Sequence, residues 1–213
     1  MAQPPREAVP RLADLELELA TPRLTLRPYR DSDVDDIWPY TSDPAFPKLM
    51  SWAAHAEKSE TLGFIGSTRQ GIADNTDCTW AIVRDGKVVG TVGLHGIRWQ
   101  FRAWRIDRAE LGYWLAPALW GKGLMTEAAH HVLVFAFGEL GLHKITVGCL
   151  EQNIGSRRVI EKLGFRHIGR HEDDVWRDGA WHAHLRYELT AERWSDVSTT
   201  MPLARPISRP RPT

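Results

Sequence analysis

Cysteine is scarce in this chain: its 213 residues contain two, Cys78 and Cys149, in different segments. A disulfide framework is thereby excluded as a main stabiliser, and the composition fits a reducing, cytoplasmic setting. No apolar run of membrane-spanning length and no secretory leader is legible, so no membrane partner is expected. An excess of one charge is also missing. Twenty-seven Lys and Arg balance 27 Asp and Glu, dispersed among one another, so no large cationic field is available to hold nucleic acid directly. There is no internal repeat. With 43% hydrophobic and 25% charged residues, the remainder is ordinary for one globular domain. What is abundant is tryptophan. Ten are present, several in segments expected to flank a cleft, where a flat ring with one N–H covers a ligand at low entropy cost.

Residues 1–14, with Pro4, Pro5 and Pro10, and residues 198–213, with four further prolines, lack a sustained apolar period. Both are expected to be mobile tails around one domain over 15–197. Leu17, Leu19, Leu24 and Leu26 alternate across Thr21-Pro22, which predicts a strand. A helix should start near Ser32, with Asp35 completing a near capping box and Pro39 stopping it. A second, from about Lys58 to Ile72, carries Leu62, Ile65 and Ile72 on one face. Asp85-Gly86 between two alternating runs is the strongest hairpin signal. Strands follow at Arg108–Leu115 and Lys144–Leu150, with helices at about Leu124–Phe137 and Asn153–Leu163. Two last strands, Phe165–Gly169 and Ala180–Leu189, are linked through Asp178-Gly179. The sum is an α/β (α+β) domain whose mixed, mostly antiparallel sheet of six to seven strands has helices on both faces.

The segment Glu110 to Ala128, ELGYWLAPALWGKGLMTEA, runs from an apolar strand through Gly121-Lys122-Gly123 into a helix. Glycines there let the backbone approach an anion, and free N–H groups of the helix start face the turn. A P-loop is excluded by the missing upstream Gly and Lys-Ser/Thr pair, and a dinucleotide fingerprint by the missing third glycine.

This segment resembles the pyrophosphate loop of the GNAT superfamily of N-acetyltransferases, Gln/Arg-x-x-Gly-x-Gly/Ala, with Ala118 departing at the first position. A Trp before the first glycine and Thr-Glu-Ala after it are similar to the ribosomal-protein N-terminal (RimJ/RimL-type) branch. Asn153, Ser156 and Gly164-Phe165 in NIGSRRVIEKLGF match its Asn-x-x-Ser…Gly-Phe helix, and Cys149 stands where some members carry a cysteine. The resemblance implies a GNAT fold splayed at an acyl-CoA site, acetyl-CoA as donor, and a monomer or homodimer. It places Trp120, Gly121, Lys122, Gly123, Leu124, Met125 and Thr126 at the cofactor phosphates. Asn153 would meet the pantetheine arm, and Arg157 or Arg158 an adenosine phosphate. It also implies a bulge at Tyr113-Trp114-Leu115 that opens the sheet to the pantetheine amides. Ala116-Pro117 just beyond is consistent with ladder pairing ending there.

Acetyl transfer to an amine needs an uncharged nucleophile, a polarised carbonyl and a protonated leaving thiolate. Glu110 is the candidate base through water, with Glu172, Asp173 and Asp174 in the later stretch where other members place a carboxylate. Glu110 could equally be a solvated strand-end charge. Ser156 is the candidate acid, aligned with the serine given this role in the branch; its alternative is a plain helix cap. Many other GNAT enzymes use a tyrosine four residues on, where this chain has Ile160. Trp38, Tyr40, Trp52 and Trp176 are the aromatic candidates for acceptor contact. His171, His182 and His184 form only a weak zinc pattern, and no metal is expected. His130 and His131 read as partly exposed helix residues. The acceptor is expected to be a protein N-terminus. A small amine, or a non-catalytic acyl-CoA-binding module, is the alternative.

Overall fold

Asp85 and Gly86, with φ of 51° and 79°, turn the chain between β3 (Cys78–Arg84) and β4 (Lys87–Phe101), the left-handed pair a tight hairpin requires. In the computed structural model, which describes residues 4–198, the other strands are β1 (Leu19–Ala20), β2 (Thr25–Pro28), β5 (Trp104–Leu115), β6 (Lys144–Leu150), β7 (Arg166–Arg177) and β8 (Ala180–Thr190). They form one sheet in the order β1-β2-β3-β4-β5-β6-β8-β7, antiparallel throughout except between β5 and β6. The expected mixed sheet is present with eight strands. The additional one arises where the chain folds back after Ala20, so that Leu19 pairs with Leu26.

Five helices accompany the sheet: α1 (Val34–Thr41), α2 (Lys58–Ala73), α3 (Leu124–Gly138), α4 (Ile154–Lys162) and α5 (Ala191–Ser198). Alternation along β3 divides the core between two faces. Trp80 and Ile82 join Val132 and Leu133 of α3, whereas Ala81 joins Ile37 of α1, Ile65 of α2 and Trp114 of β5. Helices therefore cover both faces, as expected.

Several local expectations need correction. The chain enters α1 through a 3-10 turn, and its carboxylate is Asp33 rather than Asp35: it accepts the Arg30 N–H at 2.8 Å and pairs with Arg27 at 2.7 Å. Nor does Pro39 stop α1, which continues to Thr41; Pro39 and Asp35, one turn earlier, are both exposed, so the carbonyl left unpaired faces water. On α2 the buried positions are Thr61, Ile65, Thr68 and Gly71, while Leu62 is 40% exposed. The N-terminal segment is also anchored: Leu12 is fully buried, and its N–H donates to Asn75 Oδ1 at 2.8 Å. Of the expected tail 198–213, Ser198 ends α5 and the rest lies outside the described residues. Among those described, no helix is long and apolar enough to cross a membrane.

His130 departs most from its reading as a surface residue. It is 5% exposed, neither ring nitrogen has a hydrogen-bond partner, and its ring packs 5.0 Å from that of Trp194 on α5. Burial, with a smaller push from His131, drives its pKa down to about 4. An unfolded histidine titrates near 6.5, so the folded state should lose stability as pH falls from about 6.5 towards 4, by roughly 2 kcal/mol. His130→Leu should flatten that part of the curve in urea denaturation followed from pH 7 to pH 4; an unchanged acid limb would refute the assignment.

Candidate active site

β5 and β6 run parallel but pair only through Arg108, Ala109 and Glu110 with Lys144, Ile145 and Thr146. Beyond that point β5 has no partner on its β6 side, and a wedge opens in the sheet. The bulge expected at Tyr113-Trp114-Leu115 is absent: the β4–β5 register is unbroken from His95 opposite Glu110 to Gly90 opposite Leu115, with its irregularities between His95 and Gln100. The opening comes instead from β6, which stays with β8 from Lys144 opposite Thr190 to Leu150 opposite His184.

On the α3 side of the wedge three polar side chains converge from separate elements. The Tyr113 hydroxyl lies 2.9 Å from Ser156 Oγ, and Cys149 of β6 is buried beside them. Burial raises the Cys149 thiol, and a bond with Ser156 offsets this only in part; it also holds the Tyr113 phenol well above its ordinary value. Both groups therefore keep their protons at neutral pH. Ser156 is not the helix cap. Asn153 fills that role, its Oδ1 accepting the Ser156 N–H at 3.0 Å, so the serine hydroxyl is left for other work.

The glycine turn leads into α3 with Gly121 and Gly123 at φ of 75° and 74°. A Cβ on Gly121 would meet no atom within 4 Å, no side chain caps the helix, and the first backbone donation into it runs from Glu127 N–H to the Gly123 carbonyl. An open, uncapped helix start with a glycine approach fits the diphosphate of coenzyme A. Leu124 and Met125 are buried in the core, so they offer the phosphates backbone N–H alone. Lys122 folds back onto the Ala118 carbonyl at 2.9 Å, and Trp120 donates to the Leu115 carbonyl at 2.7 Å with its ring 59% exposed. Thr126 is half-buried, and Arg158 stands exposed on α4. Glu127, 6% exposed, fastens the loop from below: it accepts from the Thr21 hydroxyl and the Arg23 N–H and guanidinium, while Arg23 also donates to the Lys122 carbonyl.

On the opposite face, alternation brings Glu110, Gly112 and Trp114 of β5 level with Thr146 and Gly148 of β6 and with His184 and Arg186 of β8. Glu110, with half its side chain exposed, has Oε1 3.4 Å from Arg186 Nη1. The His184 ring covers Gly148, where an added Cβ would lie 2.5 Å from Cε1. Burial and Arg186 lower the His184 pKa against the pull of Asp174 and Glu110, so the imidazole is neutral at pH 7. Of the later acidic cluster, Asp174 approaches His184 at 3.4 Å, while Glu172 pairs with Arg170.

Tyr40, Phe46, Trp52 and Trp114 form one aromatic wall, with ring centroids 5.5–6.0 Å apart. Arg177 ties the β7–β8 hairpin to this wall through the Met50 and Trp52 carbonyls. Trp176 is 60% exposed and packs on Trp181 at the hairpin end. Trp38 sits half-buried on α1 outside the cluster, so two of the four expected acceptor aromatics, Tyr40 and Trp52, stand in this wall. Among the described residues no group of three or more His, Cys, Asp or Glu is placed to hold a metal. Sequence reasoning missed the Tyr113–Ser156 contact and Arg186, and took His184 only as part of a weak zinc pattern; an available signal was Gly148 inside a strand, which marks close approach by another group.

Residues 23–166 match the family model described as the acetyltransferase (GNAT) domain. The chain belongs to the GNAT acetyltransferases. A relative in Bacillus subtilis (strain 168), YdaF, named provisionally as a ribosomal N-acetyltransferase, is 29% identical over 152 residues, covering 69% of this chain and 80% of its own length. Among solved structures, the ribosomal-protein-S5-alanine acetyltransferase of Vibrio fischeri has a TM-score of 0.74 at 21% identity, covering 84% of this chain and 99% of that one. RimL, the ribosomal L7/L12 α-N-protein acetyltransferase, solved with CoA in a disulfide to one of its cysteines, has a TM-score of 0.74 at 17% identity, covering 82% and 98%. The likeness to these two structures shows the fold. As a GNAT N-acetyltransferase the protein uses acetyl-CoA as donor and an amine as acceptor.

Proposed function

We propose that this GNAT enzyme acetylates the α-amino group of protein N-termini, the reaction named for its ribosomal-protein relatives. The observation that carries this reading is the weakness of the base. Glu110 is half exposed and shares its charge with Arg186, and His184 on the same face is a neutral imidazole. An α-amino group, with a reference pKa near 8, needs only such modest help, whereas a lysine near 10.4 needs a strong base or a desolvating pocket.

Bound acetyl-CoA supplies a thioester. Gly121, Gly123 and the α3 start hold its diphosphate, and the unpaired edge of β5 beyond Glu110 lies along the wedge. Glu110 takes the amine proton through water from the Trp114 face. Ser156 gives its proton to the departing sulfur from the other face, with Tyr113 behind it.

Free-thiol release from acetyl-CoA tests the acceptor, with peptides bearing Ala, Ser or Met N-termini set against matched lysine and small-amine acceptors. Peptide turnover that N-terminal blocking abolishes is the expected result. Turnover confined to small amines or lysine side chains would sink the proposal.

A further inference from the structure

A cleft of about 450 Å³ continues from Glu110 and Thr146 towards the β4–β5 turn, and Arg98, Phe101 and Arg108 line its far part. Arg98 and Arg108 are direct cross-strand partners, both are exposed, and neither has an ion-pair partner among the described residues. Their neighbours differ: Arg105 is paired with Asp107 and Arg186 with Glu110. Like charges directly opposite on a strand pair are unfavourable. Two guanidinium groups left unpaired on one cleft wall form a fork suited to a carboxylate.

Geometry sets the distance between this fork and the reacting amine. The sheet opens just past Glu110, at Gly112, and with about 3.3 Å per strand residue Arg108 lies roughly 13 Å along β5 from that point, the length of four extended peptide residues. A free amino acid is too short, because its carboxylate sits roughly 3 Å from its own amine. A peptide entering amine-first and running back over Glu110 would bring its third or fourth side chain to the arginines.

We propose that Arg98 and Arg108 read the acceptor sequence, selecting N-termini with Asp or Glu at the third or fourth residue. This rests on the reading of the Glu110 face as the acceptor side for peptides. Phe101 flanks the entering chain, and Thr146 lies at the inner end of the same cleft.

The test compares kcat/KM for otherwise identical Ser-initiated peptides carrying Glu, Gln or Lys at position three or four. The wild-type enzyme should prefer the Glu peptide over the Lys peptide by about tenfold or more at low salt. In the Arg98→Glu, Arg108→Glu double variant this ratio, measured within the variant, should invert. Equal use of all three peptides by the wild type, or an uninverted ratio in the variant, overturns the inference and leaves N-terminal acetylation standing. Turnover of small amines with none of any peptide overturns both.

Discussion

Ser156→Ala alone should lower kcat by no more than about tenfold, whereas Ser156→Ala combined with Tyr113→Phe should lower it by about a thousandfold, within the range general acid catalysis supplies. The two hydroxyls are 2.9 Å apart and reach the wedge from different elements, α4 and β5. Burial keeps the Tyr113 phenol protonated, so it can replace the proton that Ser156 gives up, and can donate through water when the serine is gone. Ile160 is fully buried in the core and holds no proton to give. The two hydroxyls should therefore back each other up in a double-mutant cycle, the double variant losing more than the sum of the two single losses. Steady-state kcat at saturating acetyl-CoA decides it. A full thousandfold loss in the serine variant alone would leave Tyr113 a packing residue.

Glu127→Ala should cost about 3 kcal/mol of stability, because it strands an arginine, a hydroxyl and a backbone N–H that share one buried carboxylate. It should also raise KM for acetyl-CoA about tenfold or more, since Arg23 then no longer steadies the Lys122 carbonyl. Burial pushes the Glu127 carboxyl up, but the bonds from Thr21 and Arg23 outweigh it and hold the group below the ordinary carboxylate range. Its contribution is accordingly complete above about pH 4.5 and is lost as pH falls through the lower folded value. Urea denaturation and acetyl-CoA saturation curves on the same variant separate the two effects. Lost stability with an unchanged KM would show that the loop keeps its shape without this anchor.

What sequence could tell depended on whether the deciding interaction was local. The Asp85-Gly86 turn and the β6 strand at Lys144–Leu150 rest on alternation or on adjacent residues, and both were legible; the Asn153 cap of α4 is as local, but the cap alternative fell on Ser156. The β1–β2 turn was not: Thr21 and Arg23 are held by Glu127, more than a hundred positions away. His130 read as a surface residue because Trp194, which covers it, comes from the last helix. In the site the glycine loop was legible because it is contiguous. The acceptor face was only partly so, since Glu110, His184 and Arg186 become neighbours through strand order alone. The opening of the sheet was foreseen through a kink in β5, but it is made by β6 keeping step with β8. No periodicity within β5 could have revealed that.

Only three residue pairs join β5 to β6. Ahead of that seam, β1 to β5 pair in sequence order, each strand with the next; behind it, β6, β7 and β8 make a second block of antiparallel pairs. The β3–β4, β4–β5 and β7–β8 hairpins close through short turns, whereas the parallel seam needs α3 to cross over. The region built for catalysis therefore depends on a crossover rather than on a hairpin. A newly made chain would hold its hairpins before it possessed an active site at all.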